Sequence, residues 1–268
     1  MRRPPRYPHS LAESRVALIT GASAGLGSVF ARKLAARGYD LILVARRGDR
    51  LEALAKDLPV RTTIIAADLA AEDGLSATET AIRNCPKLEI LINNAGFATL
   101  GRFWETGLDG QDRMYRLHVI ATMRLARAAL EGMVPRRKGS IVNVSSVAGF
   151  GQSPGNVSYC STKAWMNSFT EGLALELRNA RSPVYVQALC PGFTVTEFHD
   201  TLGIDPHDIP AFLWMKADDV VDTSLAALGS GKVIVIPGWK YKVSAAFLRH
   251  LPWWIRRRLT RPGKDARV

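Results

Sequence analysis

Cysteine is scarce in this chain. Cys85, Cys160 and Cys190 stand far apart among 268 residues, and no two form a C-x-x-C pair. That spacing excludes a disulfide framework and a cysteine zinc cluster, so no metal site is expected. It also points to a reducing, cytoplasmic setting. Long apolar runs are absent too, and none approaches the roughly 20 residues that span a bilayer. The opening stretch MRRPPRYPHSLAESRVALIT is basic, but prolines and a tyrosine stand where a signal peptide needs an apolar core, so no signal peptide is expected. There are no internal repeats, and composition does not break before about residue 240, which argues for one α/β domain.

A broad basic surface is missing as well, despite a formal net charge of +12. Arg2, Arg3 and Arg6 supply +3 and residues 232–268 supply +9, which leaves the body neutral. Basic ends on a neutral body do not make a nucleic-acid groove, so no nucleic-acid partner is expected. The chain divides into a basic N-terminal extension at 1–13, an α/β domain at 14–240 and a basic aromatic tail at 241–268.

What is present is alternation. Strand-like runs occupy 16–20, 40–46, 62–69, 88–96, 139–146, 184–192 and 232–238. Helical patterns lie between them at 28–38, 49–58, 72–85, 109–134 and 157–179. Apolar, non-alternating strands in this order predict a doubly wound parallel sheet of about seven strands, with helices on both faces and right-handed crossovers.

TGASAGLG (20–27) follows the first strand and opens the first helix. Glycines there let the backbone turn tightly against a pyrophosphate, which meets the positive end of the helix dipole. Gly21, Ser23, Ala24, Gly25, Leu26 and Gly27 are the candidate cofactor residues of this turn. The second strand ends in Ala45-Arg46-Arg47, where a carboxylate would bind a ribose 2′-OH. Two guanidiniums suit a 2′-phosphate, so NADP(H) is expected over NAD(H); two solvated surface arginines are the competing reading. Asp68 and Leu69, ending the third strand, are placed near the adenine edge.

TGASAGLG, NNAG (93–96), Ser146, the Y-x-x-x-K of YCSTK (159–163) and PG (191–192) together resemble, in order and spacing, the short-chain dehydrogenase/reductase family over about residues 14–200. The resemblance implies a Rossmann-like single domain, reversible carbonyl/alcohol hydride transfer and a homo-oligomer. Ser146, 13 residues before Tyr159, takes the place of the family's active serine; Ser145 does not. Lys163 lies one helical turn from Tyr159, where an ammonium would lower the phenol's pKa toward neutral pH. The resemblance also makes Lys163 hold the nicotinamide ribose, Asn94 lie beside the cofactor, and Thr194 meet the carboxamide. His118 stands where the family has asparagine; it either joins a proton relay or is a buried histidine satisfied by a backbone carbonyl. A non-catalytic cofactor-binding or scaffold protein of the same fold is the alternative.

Residues 199–216 take the place of the family's substrate lid. Phe212, Leu213, Trp214 and Met215 favour a lipophilic carbonyl or alcohol there, or else pack the lid down. The tail at 245–264 mixes Phe247, Trp253 and Trp254 with arginines, which suits an anionic membrane surface, a peripheral location or a subunit contact.

Overall fold

The computed structural model describes residues 15–197, 209–250, 252, 254 and 255. The N-terminal extension, most of the expected lid and the tail beyond residue 255 lie outside the described residues.

Seven parallel strands form one sheet: β1 (Arg15–Thr20), β2 (Tyr39–Ala45), β3 (Thr62–Ala66), β4 (Leu88–Asn93), β5 (Ser140–Val144), β6 (Tyr185–Leu189) and β7 (Ile234–Val235). Their order is β3-β2-β1-β4-β5-β6-β7. The direction of winding therefore reverses between β1 and β4, and the carboxyl ends of those strands open the crevice where this architecture binds ligands. The helices are α1 (Gly25–Ala36), α2 (Gly48–Lys56), α3 (Glu72–Arg83), α4 (Leu108–Tyr115), α5 (Thr122–Arg136), α6 (Val157–Asn179), α7 (Ala217–Ala227) and α8 (Trp239–His250). This is the expected Rossmann-like single domain.

The strands are near-continuous apolar runs because helices cover both faces. On one face α1, α2 and α7 bury Phe30, Leu34, Leu51 and Val221 against Ile19 and Leu43. On the other, α3, α5 and α6 bury Ile82, Leu125 and Leu177 against Leu18 and Leu91. Each such side chain withdrawn from water contributes about 1.5–3 kcal/mol.

Six of the seven strands end earlier than expected: those expected to reach 46 and 238 stop at Ala45 and Val235, and four more differ in the same direction. The strands expected to reach 69, 96, 146 and 192 stop at Ala66, Asn93, Val144 and Leu189. The residues that follow, among them Asp68, Asn94, Gly96, Ser146 and Gly192, leave the ladder and border the crevice. The helix expected at 109–134 is also not uniform. Arg116–Ala121 forms a π-helical turn between α4 and α5, and His118 sits inside it. The sequence reading contained neither α7 nor α8.

Candidate active site

The glycine turn is shaped by close approach. Gly21 and Gly25 have φ of 65° and 53°, left-handed values that favour glycine. A Cβ on Gly21 would lie 2.8 Å from both the Ala95 Cα and the Asn94 amide nitrogen. Gly27 is held by packing of another kind: its Cβ would run into the Gly21 carbonyl. It does not line the crevice, so it serves by seating α1 against the turn. Gly21, Ser23, Ala24, Gly25 and Leu26 do line it. No side chain caps the first turn of α1.

Thr20 fastens β4 to this turn. Its hydroxyl donates to the Ile92 carbonyl and accepts the N–H groups of Asn94 and Ala95. The Asn94 side chain donates to the Thr20 carbonyl at 2.9 Å and reaches the crevice wall. Asn93 points the other way, into the buried sheet, where its amide donates to Asn143.

Arg46 and Arg47 are exposed at the end of β2. Arg47 donates to the Ser23 hydroxyl at 3.2 Å and pairs with Glu197 at 3.4 Å. Arg50 holds the same carboxylate through both oxygens, at 2.9 and 2.8 Å. Asp68 accepts from the Ala70 N–H and pairs with Arg113 at 2.7 Å. Burial would raise its carboxyl, but these two donors, helped by Arg46, hold it below the usual carboxylate value. Leu69 forms the adjoining wall. Nothing in the sequence marks Arg113 or Glu197, which reach the crevice from distant parts of the chain.

At the far end, α6 carries Tyr159 and Lys163. Ser146 follows β5, accepts the Ala148 N–H and hydrogen-bonds the Tyr159 phenol. Ser145 also borders the crevice, but its hydroxyl is taken up by the Lys163 carbonyl, to which it donates. Tyr159 is partly exposed on the crevice wall. Burial pushes its phenol up to about 12, with the Ser146 bond opposing. The expected lowering by Lys163 is absent, because that ammonium sits 5.7 Å from the ring centre and donates to the Val144 carbonyl at 2.8 Å. Burial lowers Lys163 itself to about 8.

His118 is fully buried and has two partners. Its Nε2 accepts the Phe97 N–H at 3.2 Å, and its Nδ1 lies 2.9 Å from the Thr162 hydroxyl. Thr162 in turn donates to the Tyr159 carbonyl. Only one neutral tautomer satisfies this chain, with the proton on Nδ1. Burial, reinforced by the nearby Lys163 charge, holds the ring well below its ordinary pKa. His118 is thus held by a backbone N–H and a side-chain hydroxyl, not by the backbone carbonyl expected of a satisfied buried histidine, and its ring borders the crevice.

These groups wall a single crevice of about 970 Å³ that runs from the glycine turn to Tyr159. Thr194 lines it, its hydroxyl donating to the Gly192 carbonyl. Phe212 to Met215 do not. Phe212 faces outward, and Met215 packs on the core beneath Thr194. Apolar walls come instead from Phe97, Leu100, Leu117 and Leu248, and Phe97 lies beside His118, which meets Tyr159 edge-on. Leu248 belongs to α8, whose Tyr241 hydroxyl accepts the Phe193 N–H and donates to the Leu213 carbonyl.

Comparison with known proteins agrees with this arrangement. A family model described as short chain dehydrogenase matches residues 15–206. The chain is 30% identical over 242 residues to the 3-oxoacyl-(acyl-carrier-protein) reductase FabG of Aquifex aeolicus, covering 84% of this chain and 97% of that protein. A short-chain dehydrogenase from Sphingobium yanoikuyae, solved with NADPH, is 35% identical with a TM-score of 0.79, covering 94% of this chain and 99% of that one. A bulky-bulky ketone specific alcohol dehydrogenase from Comamonas testosteroni is 31% identical with a TM-score of 0.76, covering 95% and 98%. A relative from Burkholderia phymatum, solved with NAD, is 25% identical with a TM-score of 0.80, covering 93% and 98%. The chain belongs to the short-chain dehydrogenase family.

Proposed function

We propose that the protein is an NADP(H)-dependent oxidoreductase that interconverts a carbonyl and an alcohol on a lipophilic substrate. One observation carries the reading: the Ser146 hydroxyl, the Tyr159 phenol and the Lys163 ammonium stand together on the wall of the crevice that begins at the glycine turn.

The crevice fits a dinucleotide. Gly21 lets the turn pack directly against Ala95, and α1 presents its uncapped N-terminus at the crevice, where a pyrophosphate would sit. Arg46 and Arg47 would take a 2′-phosphate, Asp68 and Leu69 would border the adenine, and Asn94, Thr194, Tyr159 and Lys163 would flank the nicotinamide half. Such a cofactor supplies the hydride. Ser146 orients the substrate oxygen by hydrogen bond, and Tyr159 gives that oxygen its proton in reduction or takes it in oxidation. Lys163, anchored on the Val144 carbonyl and cationic below about pH 8, would hold the nicotinamide ribose. His118, satisfied as a neutral ring, fixes the π-helical turn and the start of α6.

The lipophilic preference rests on Phe97, Leu100, Leu117 and Leu248, in keeping with the bulky ketones named for the Comamonas relative. Exposed Leu108, Tyr115, Ile120 and Met123 along α4 and α5 support self-association. The three free thiols accord with a cytoplasmic setting.

Tyr159→Phe tests the assignment. It keeps the ring and its packing and removes only the transferable proton. Turnover should fall by a factor of at least about 10², while the NADPH dissociation constant stays within about threefold. A folded Tyr159→Phe protein with near-normal turnover contradicts the proposal.

A further inference from the structure

We propose that the outer face of α8 is a docking surface for an anionic lipid bilayer, and that it sets the lipophilic end of the crevice against the membrane. The delivery role rests on the oxidoreductase reading above; the docking itself does not.

The helix is two-sided. Tyr241 and Ala245 are buried, and Leu248 reaches the crevice. On the opposite side Trp239, Val243 and Phe247 recur every fourth residue, so they form one stripe. They are 71%, 63% and 59% exposed, an unusual cost for three large apolar side chains in a row. Phe212 extends the stripe at 66% exposed; the Lys240 ammonium lies 4.6 Å from its ring centre and 5.9 Å from that of Trp239.

Cations border the stripe on both sides: Lys240 on one, Lys242 and Arg249 on the other. Arg249 leans toward Glu171 at 3.6 Å. Lys242 has no ion pair among the described residues. A tryptophan and a phenylalanine between lysines match an interface that is apolar below and anionic at its surface. Twelve residues of helix span about 18 Å, too short to cross a bilayer, and no helix among the described residues is long and apolar enough to do so. The geometry is that of lying on a membrane.

Charge separates this occupant from a second copy of the chain. A two-fold contact through the stripe would bring Lys240 and Lys242 against the same lysines of the partner. An anionic surface meets them with opposite charge. The sequence after Ile255 adds six basic residues against one acid.

The test uses the full chain and vesicles of phosphatidylcholine with or without phosphatidylglycerol, read by co-sedimentation across a salt series. Two variants accompany it, Trp239→Ser with Phe247→Ser, and Lys240→Glu with Lys242→Glu. None of these residues lines the crevice, so NADPH affinity and thermal midpoint serve as folding controls. Wild type should bind the anionic vesicles at low salt and release them as salt rises. Each double variant should bind roughly tenfold more weakly or less. Wild type that ignores anionic vesicles at low salt overturns the proposal. So does equal binding by the variants, which would move the contact elsewhere. A stripe variant that turns a wild-type dimer into a monomer, with no vesicle binding by either, would assign the face to a second copy. Loss of turnover in Tyr159→Phe leaves vesicle binding unchanged, so the two readings fail separately.

Discussion

Arg47 faces a choice between two anions. It points at Ser23 and the glycine turn, as a 2′-phosphate ligand should, yet Glu197 already reaches it at 3.4 Å and is held by Arg50. A 2′-phosphate must compete with that carboxylate. Loss of a guanidinium–phosphate contact costs about 1.5–3 kcal/mol, so Arg46→Ala with Arg47→Ala should weaken NADPH by about tenfold or more and leave NADH nearly unchanged. Glu197→Gln removes the competitor and should tighten NADPH alone. Fluorescence titration of both cofactors into the three proteins reads this, and equal wild-type affinities for NADPH and NADH contradict it. The arginines were legible because they end a strand whose register fixes them beside the turn. Glu197 was not, since it meets Arg47 only because the chain after β6 crosses the crevice, 150 residues away in sequence. The same limit explains Lys163: its spacing to Tyr159 was legible, but not the Val144 carbonyl that claims its ammonium.

The π-helical turn between α4 and α5 shows what an element adds. Helical periodicity runs through 109–134 without a break, so the sequence predicts one helix. The ring of His118, fixed from both nitrogens, occupies the widened turn. This burial has a pH signature. The folded state keeps the ring neutral, while the unfolded chain takes up a proton below about pH 6.5. The unfolded state then binds more protons, so stability is lost as pH falls below that value, by up to about 1.4 kcal/mol per pH unit, and is unaffected above it. His118→Asn removes this dependence. Urea midpoints at about pH 7.5 and about pH 5.5 should therefore fall further in wild type than in the variant, and turnover should show no step near pH 6.5 that the variant abolishes. Equal falls would mean that the ring is already charged in the fold. Strand positions were legible to within a few residues because apolar runs buried on both faces leave little else for them to be. Strand ends were not, because extended residues such as Ala67, Ala95 and Cys190 follow the last paired position and carry no local signal of where pairing stops. α7 and α8 went unread because their short amphipathic patterns follow a stretch rich in loop residues.

At the scale of the molecule, one asymmetry organises everything. The winding reverses between β1 and β4, and both the glycine turn and the Ser146–Tyr159–Lys163 group fall at the carboxyl ends of the central strands. One end of the crevice is lined by charge, with Arg46, Arg47 and Asp68. Toward Tyr159 its wall carries Phe97 beside His118, and Leu248 closes on Gly151. A dinucleotide with an anionic adenosine end and a lipophilic partner at its nicotinamide end match that polarity. Phe212 to Met215, which suggest a lipophilic substrate in the sequence, are turned away from the crevice; its apolar walls come from three parts of the chain, the loop after β4, the π-helical turn and α8. The most direct test is the loss of NADPH absorbance when the purified protein meets a panel of carbonyls graded from small and polar to bulky and apolar, with NADH in parallel. Turnover should rise with apolar bulk and be faster with NADPH. Cofactor binding with no turnover of any carbonyl or alcohol in the panel, in either direction, would contradict it.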